Sequence, residues 1–123
     1  MESKIFTYEE ASSLLEDVRE ITAAAHSRLQ ELRAQIEGAP AGSTRNRKLT
    51  EWINTVIHQW AEEIMALGAL PKGLWTVDFD SGEGYYYCWT LDETKLSYFH
   101  NYQEGFVGRR PLTENPDPPP LLN

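Results

Sequence analysis

A chain of 123 residues is one domain by length, and 41% hydrophobic with 11% aromatic residues makes it globular rather than disordered. The 19 acidic residues against 11 basic give a net charge of -8, which repels nucleic acid and anionic membrane, so neither is expected as a partner. The opening MESKIFTYEE has no apolar signal core, and no apolar run nears the ~20 residues a membrane helix needs, so a cytoplasmic protein is expected.

Thr7 and Glu10 form a capping box, in which each residue's side chain accepts from the other's backbone amide, and a helix should begin there. Behind it Ala11, Leu15, Val18, Thr22, Ala25, Leu29, Leu32 and Ile36 alternate spacings of four and three, with Leu14 and Ile21 widening the stripe. This predicts about 30 residues of helix, about 45 Å long, ending at Gly38-Ala39-Pro40. Thr22, the polar member of the stripe, can bond back to the carbonyl four residues earlier, which makes its burial tolerable. Ser43 or Thr44 caps a second helix whose stripe is Leu49, Ile53, Val56, Trp60, Ile64 and Leu67, stopped by Gly68 with Pro71 beyond. The short link makes the two an antiparallel hairpin over residues 7–68. His26 and His58 pass within a turn of each other without converging, and Arg45, Arg47 and Lys48 read as its solvated end.

From Gly73 to Arg110 the chain holds two of the four Trp, five of the six Tyr and three of the four Phe, and from Gly73 the hydrophobic period falls to two. Leu74–Phe79, Tyr85–Leu91 and Leu96–His100 are predicted strands of an antiparallel meander. Pairing Leu91 with Leu96 puts Tyr85, Tyr87, Trp89, Tyr98 and His100 on one face, the natural cover for the hairpin. The other face then shows Tyr86, Cys88, Thr90, Ser97 and Phe99. A loop of only SGEG between the first two strands sets Asp78 beside Tyr87, whereas a slip of one residue buries Val77 and Phe79 and turns Asp78 away; the apolar pattern favours the slip. From Thr113 the Pro-rich TENPDPPPLLN reads as a tail, leaving residues 1–112 as a single domain.

Asp78 sits inside a strand pattern, where Asp is disfavoured, so it needs a partner, and Arg109 is the obvious one. The sharper alternative gathers Asp78, His100 and Glu104 as a metal or general acid/base site, since His100 and Glu104 are four apart. No HxxxH or HxH pair occurs, so no metal and no cofactor are assigned. Cys88 is the single cysteine, which excludes an internal disulfide and reads as a small core residue.

Phe6-Thr7-Tyr8-Glu9-Glu10-Ala11, Val77-Asp78-Phe79, Cys88-Trp89, Phe99-His100 and Gly105-Phe106-Val107-Gly108-Arg109-Arg110-Pro111 follow one another in the order of a bacterial family catalogued as domain of unknown function 2203, which the chain resembles over nearly its whole length. Trp75-Thr76 stands where that family has Gly-Leu. The resemblance supports the architecture and implies no activity, substrate or catalytic residue.

The expected fold is α+β, two long antiparallel helices followed by a three-stranded antiparallel meander. The apolar stripes exceed what one hairpin buries alone, so a homodimer through the helices is expected. The expected function is a non-catalytic interaction or small-ligand-binding module, with Asp78, Tyr87, Trp89, His100 and Arg109 as ligand-binding candidates. The alternative is a small metal-dependent or acid/base enzyme, hydrolase-like, using His100 with Asp78 or Glu104.

Overall fold

The computed structural model describes residues 3–114, so most of the predicted tail lies outside the described residues. Helix α1 spans Tyr8–Glu37 and opens on the capping box, with both reciprocal bonds between Thr7 and Glu10 formed. Helix α2 spans Thr44–Ala66, with the Ser43 hydroxyl accepting from the Asn46 amide. Gly68 at φ 93 ends it, a conformation that side chains disfavour. The stripe residues Ala11, Leu15, Val18, Thr22, Leu29 and Leu32 of α1 are buried, as are Leu49, Trp60 and Ile64 of α2. Thr22 finds its partner across the hairpin: its hydroxyl accepts from the Trp60 indole N–H at 2.8 Å. The bond therefore ties the two helices together instead of turning back along α1.

Five strands follow, not three: β1 (Leu70–Pro71), β2 (Thr76–Asp80), β3 (Tyr85–Thr90), β4 (Tyr98–Asn101) and β5 (Arg110–Pro111). They lie in sequence order and every neighbouring pair is antiparallel. The two added strands have two residues each, too few to show a period of two, and each holds a proline that blunts its edge. A short N-terminal strap joins sheet to helices, with the Lys4 amide donating to the Gly68 carbonyl and the Phe6 amide to that of Asp80.

The β2–β3 register takes the predicted slip, with Asp78 opposite Cys88 and Phe79 opposite Tyr87. The β3–β4 register differs from expectation by one residue: Tyr87 pairs with Phe99 and Tyr86 with His100. The reason lies in the connection, where Asp92 takes φ 86 and Leu91 and Leu96 leave the ladder. Glu93 closes this turn, its carboxylate accepting from the Thr90 amide and its carbonyl from the Trp89 indole N–H.

The inner face is therefore Val77, Phe79, Tyr85, Tyr87, Trp89 and Phe99, all buried against the hairpin. Its rings meet edge to face, as in Phe6–Phe79 at 5.4 Å and Tyr85–Phe99 at 5.7 Å. Burying one such side chain contributes about 1.5–3 kcal/mol. Trp75, at φ 62, stands edge to face on Trp60 at 5.0 Å and fastens the start of β2 to the middle of the hairpin. Beyond the sheet, Leu32, Ala39 and Leu49 form a small separate cluster at the hairpin's closed end.

Candidate functional site

The outer face carries Thr76, Asp78 and Asp80 on β2, Tyr86, Cys88 and Thr90 on β3, and Tyr98 and His100 on β4. Two single-residue shifts produce this set. The first turns Asp78 out of the core, and the second turns His100 out as well, so the two meet. Their strands are separated by β3, a span of about 9–10 Å between backbones. The side chains close it: His100 Nε2 lies 3.0 Å from Asp78 Oδ2, with side-chain exposures of 4% and 1%.

The other ring nitrogen of His100, Nδ1, lies 3.0 Å from the Asn101 carbonyl oxygen. A carbonyl only accepts, so Nδ1 carries a hydrogen and Nε2 is aimed at the carboxylate. Asp78 Oδ1 is buried and, among the described residues, has no hydrogen-bond partner. Beside the pair lies the fully buried Cys88. One ligand atom from each of Asp78, Cys88 and His100 falls within 4.8 Å of the other two.

Burial pushes the Cys88 thiol up to about 12, and Asp78 pushes the same way, while Arg109 pulls against them. At neutral pH this group is a thiol, unsuited by itself to nucleophilic attack. Burial, followed by the charges of Asp80 and Asp78, also raises Tyr86. The Tyr86 ring lies 5.5 Å from the His100 ring and 4.8 Å from that of Tyr102.

The segment 102–109 folds back over this face. The Tyr102 hydroxyl donates to Asp80 Oδ1 at 2.5 Å. Arg109 stands over the rings of Tyr98 and Phe106 at 4.1 and 4.6 Å. A pocket of about 440 Å³ remains between segment and sheet, with Asp78, Cys88 and His100 in its lining and Lys72, Tyr86 and Phe106 around them. The larger recess, about 650 Å³, runs between the helices and has neither His nor Cys in its lining.

Several expectations are corrected. Arg109 does not pair with Asp78: its Nη2 donates to both Glu93 oxygens, at 2.6 and 2.8 Å, and to the Cys88 carbonyl at 3.1 Å. Asp78 takes His100 as its partner instead. Glu104 lines the pocket but does not join the cluster, since its Oε1 accepts from the Asn101 amide and Arg110. Tyr87 and Trp89 point into the core, away from this pocket; Tyr87 lines a different recess beside Tyr8 and Tyr85. Cys88 is buried and on the outer face, both as expected, and stands there beside Asp78 and His100. Sequence reasoning missed that role because the neighbours of Cys88 come from other strands, and only the register reveals them. Alternation did hold the signal, since burying Phe99 forces His100 to the side of Cys88.

A family model described as an uncharacterized conserved protein, DUF2203, matches residues 4–112. The chain belongs to this family. No curated protein and no solved structure matches it. Val77-Asp78-Phe79, Cys88-Trp89 and Phe99-His100, three of the segments that carry the resemblance, each contribute one side chain to the cluster. No helix among the described residues is long and apolar enough to cross a membrane.

Proposed function

We propose that this DUF2203 protein is a small-ligand-binding module whose site is the outer-face pocket. One observation carries the reading. The Asp78–His100 pair is almost wholly buried yet lies at the floor of an accessible pocket and not in the aromatic core. A buried polar pair costs stability unless well partnered, and Asp78 Oδ1 has no hydrogen-bond partner among the described residues, so the pair is poised for a guest with a donor. Tyr86, Tyr102 and Phe106 supply aromatic surface for its flat part and Lys72 a cationic rim.

The test is ligand-observed NMR with a panel of small amines, carboxylates and aromatic heterocycles. Probes that bind the native protein and bind at least tenfold more weakly to Tyr86→Ala and His100→Ala, both folded by their amide spectra, support the pocket. No binding by any probe, or binding indifferent to both substitutions, rejects it. The 3.0 Å contact also favours a second reading, an acid/base enzyme using His100 with Asp78. Hydrolysis of a nitrophenyl ester that disappears in His100→Ala would establish that alternative.

The same proposal includes self-association through the recess between the helices. Trp52 is 54% exposed at its rim, and Ala24 and Ala25 leave space beside it. Glu20 and Arg28 lie two turns apart on α1 with Ala24 midway, so an antiparallel second copy sets Glu20 of each chain against Arg28 of the other. Sedimentation should show a dimer weakened by Arg28→Glu and restored by adding Glu20→Arg. A native chain sedimenting as a monomer at high concentration rejects this part.

A further inference from the structure

With Nδ1–H given to the Asn101 carbonyl, His100 Nε2 faces Asp78 Oδ2 across 3.0 Å, a distance that a shared proton bridges. Once that proton leaves, the same two atoms are donors for a metal ion. Cys88 adds a third donor atom from the intervening strand, within 4.8 Å of both.

We propose that Asp78, Cys88 and His100 are the protein ligands of a single tetrahedral transition-metal ion of the zinc type, with its fourth position open to the pocket. The inference rests on the pocket reading and names what the floor of that pocket holds.

Donor chemistry selects the ion. One thiolate, one imidazole and one carboxylate suit zinc and its first-row neighbours, whereas magnesium and calcium require oxygen sets of six or more. Bonds of about 2.0–2.3 Å separate tetrahedral ligand atoms by ~3.3–3.8 Å. The Asp78–His100 gap needs to widen by only a few tenths of an ångström, and the Cys88 sulfur, within 4.8 Å of both, to draw in by at most about 1 Å. On binding, Cys88 gives its thiol proton to solvent and the proton between Asp78 and His100 leaves, so a divalent ion meets two negative ligands and the centre is neutral.

The scaffold suits a preset site. The three ligands sit on three adjacent antiparallel strands, Asp78 directly opposite Cys88 and His100 diagonal to it, so backbone pairing fixes their spacing before any metal arrives. The Asn101 carbonyl fixes the His100 ring, as an orienting partner does for metal-bound imidazole. Oδ1 of Asp78, without a hydrogen-bond partner among the described residues, gives the carboxylate a second oxygen for the ion. Three protein ligands facing a pocket is the layout of centres that bind or activate a further molecule, in contrast to closed structural sites with four.

Cobalt(II) titration of untagged, chelator-stripped protein tests this. Expected are one equivalent bound per chain, the visible spectrum of tetrahedral cobalt, an ultraviolet thiolate-to-cobalt band, and displacement of the cobalt by zinc. Cys88→Ser, nearly isosteric, should abolish the ultraviolet band, and Asp78→Asn and His100→Ala should weaken binding at least tenfold. Folded native protein that takes up no cobalt overturns the proposal even if a variant fails to fold. A thiolate band surviving in His100→Ala with unchanged affinity also overturns it. Tyr86→Ala separates the two readings: losing the organic probes while keeping the cobalt spectrum supports both, whereas probes binding a native protein that takes no metal leave the pocket and remove the ion.

Discussion

The two faces of one sheet do different work. The inner face offers Val77, Phe79, Tyr85, Tyr87, Trp89 and Phe99 to the helices, with no carboxylate, amine, guanidinium or imidazole among them. The outer face, from the alternate positions of the same strands, offers Thr76, Asp78, Tyr86, Cys88 and His100 to a pocket. Asp78 and Trp89 are equally hidden from solvent, at 1% and 0%. Burial alone therefore does not tell core from site; what surrounds the buried group does. The inner rings pack mainly on other side chains, with Tyr85 and Tyr87 also lining the recess beside Tyr8, whereas the outer triad sets a carboxylate, a thiol and an imidazole at the edge of a pocket.

This contrast can be broken or sharpened by substitution. Trp89→Ala should have the largest effect, a loss of about 3–5 kcal/mol in urea unfolding, since it leaves a large hole in the aromatic layer. A loss under about 1 kcal/mol would mean that the inner face is not the core. On the outer face Asp78→Ala should cost less, about 1–3 kcal/mol, because pocket water can reach the freed imidazole. A cost matching that of Trp89→Ala would erase the distinction between the faces. Arg109→Ala should cost about 1–2 kcal/mol in the same assay by freeing Glu93 and loosening segment 102–109 over the pocket. A parallel loss of probe affinity would make this segment part of the site's wall.

The smallest effect belongs to a group on neither face. The Thr7 amide, and secondarily its hydroxyl, hold the Glu10 carboxyl below its ordinary 4.5. Glu10 therefore stabilises the fold fully above that value, and the contribution disappears as pH falls through the lower folded value. Unfolding midpoints of native protein and Glu10→Gln should thus converge in acid and separate toward neutral pH. A constant difference would assign the effect to packing.

The helices were legible because their cues are local: a capping box three residues wide, a stripe of period three and four, and a Gly stop. The division of the sheet was legible only in part. Val77 and Phe79 flanking Asp78 announced the β2 register. The β3–β4 register depends on how residues 91–97 turn, where the left-handed Asp92 and the bonds of Glu93 decide which residues leave the ladder. Leu91 and Leu96 resembled the last rungs, yet Leu96 is buried beside α1, its carbonyl accepting from the Tyr8 hydroxyl. That single step moved His100 from the core to Asp78. It shows why a site assembled across strands is less readable than a helix.

The strand order β1-β2-β3-β4-β5 has a consequence for how the chain reaches this state. Each ladder joins segments adjacent in sequence, and the hairpin likewise closes over a short link, so each half can form from near neighbours without waiting on the other. The contacts that come from afar are those of the core between sheet and hairpin, among them Trp75 on Trp60 and His26, the Phe6 strap on Asp80, and Tyr8 on Leu96. The Trp75–Trp60 contact thus joins the two halves from the inner side of the sheet, while Gly73 and Thr76 on either side of Trp75 line the pocket.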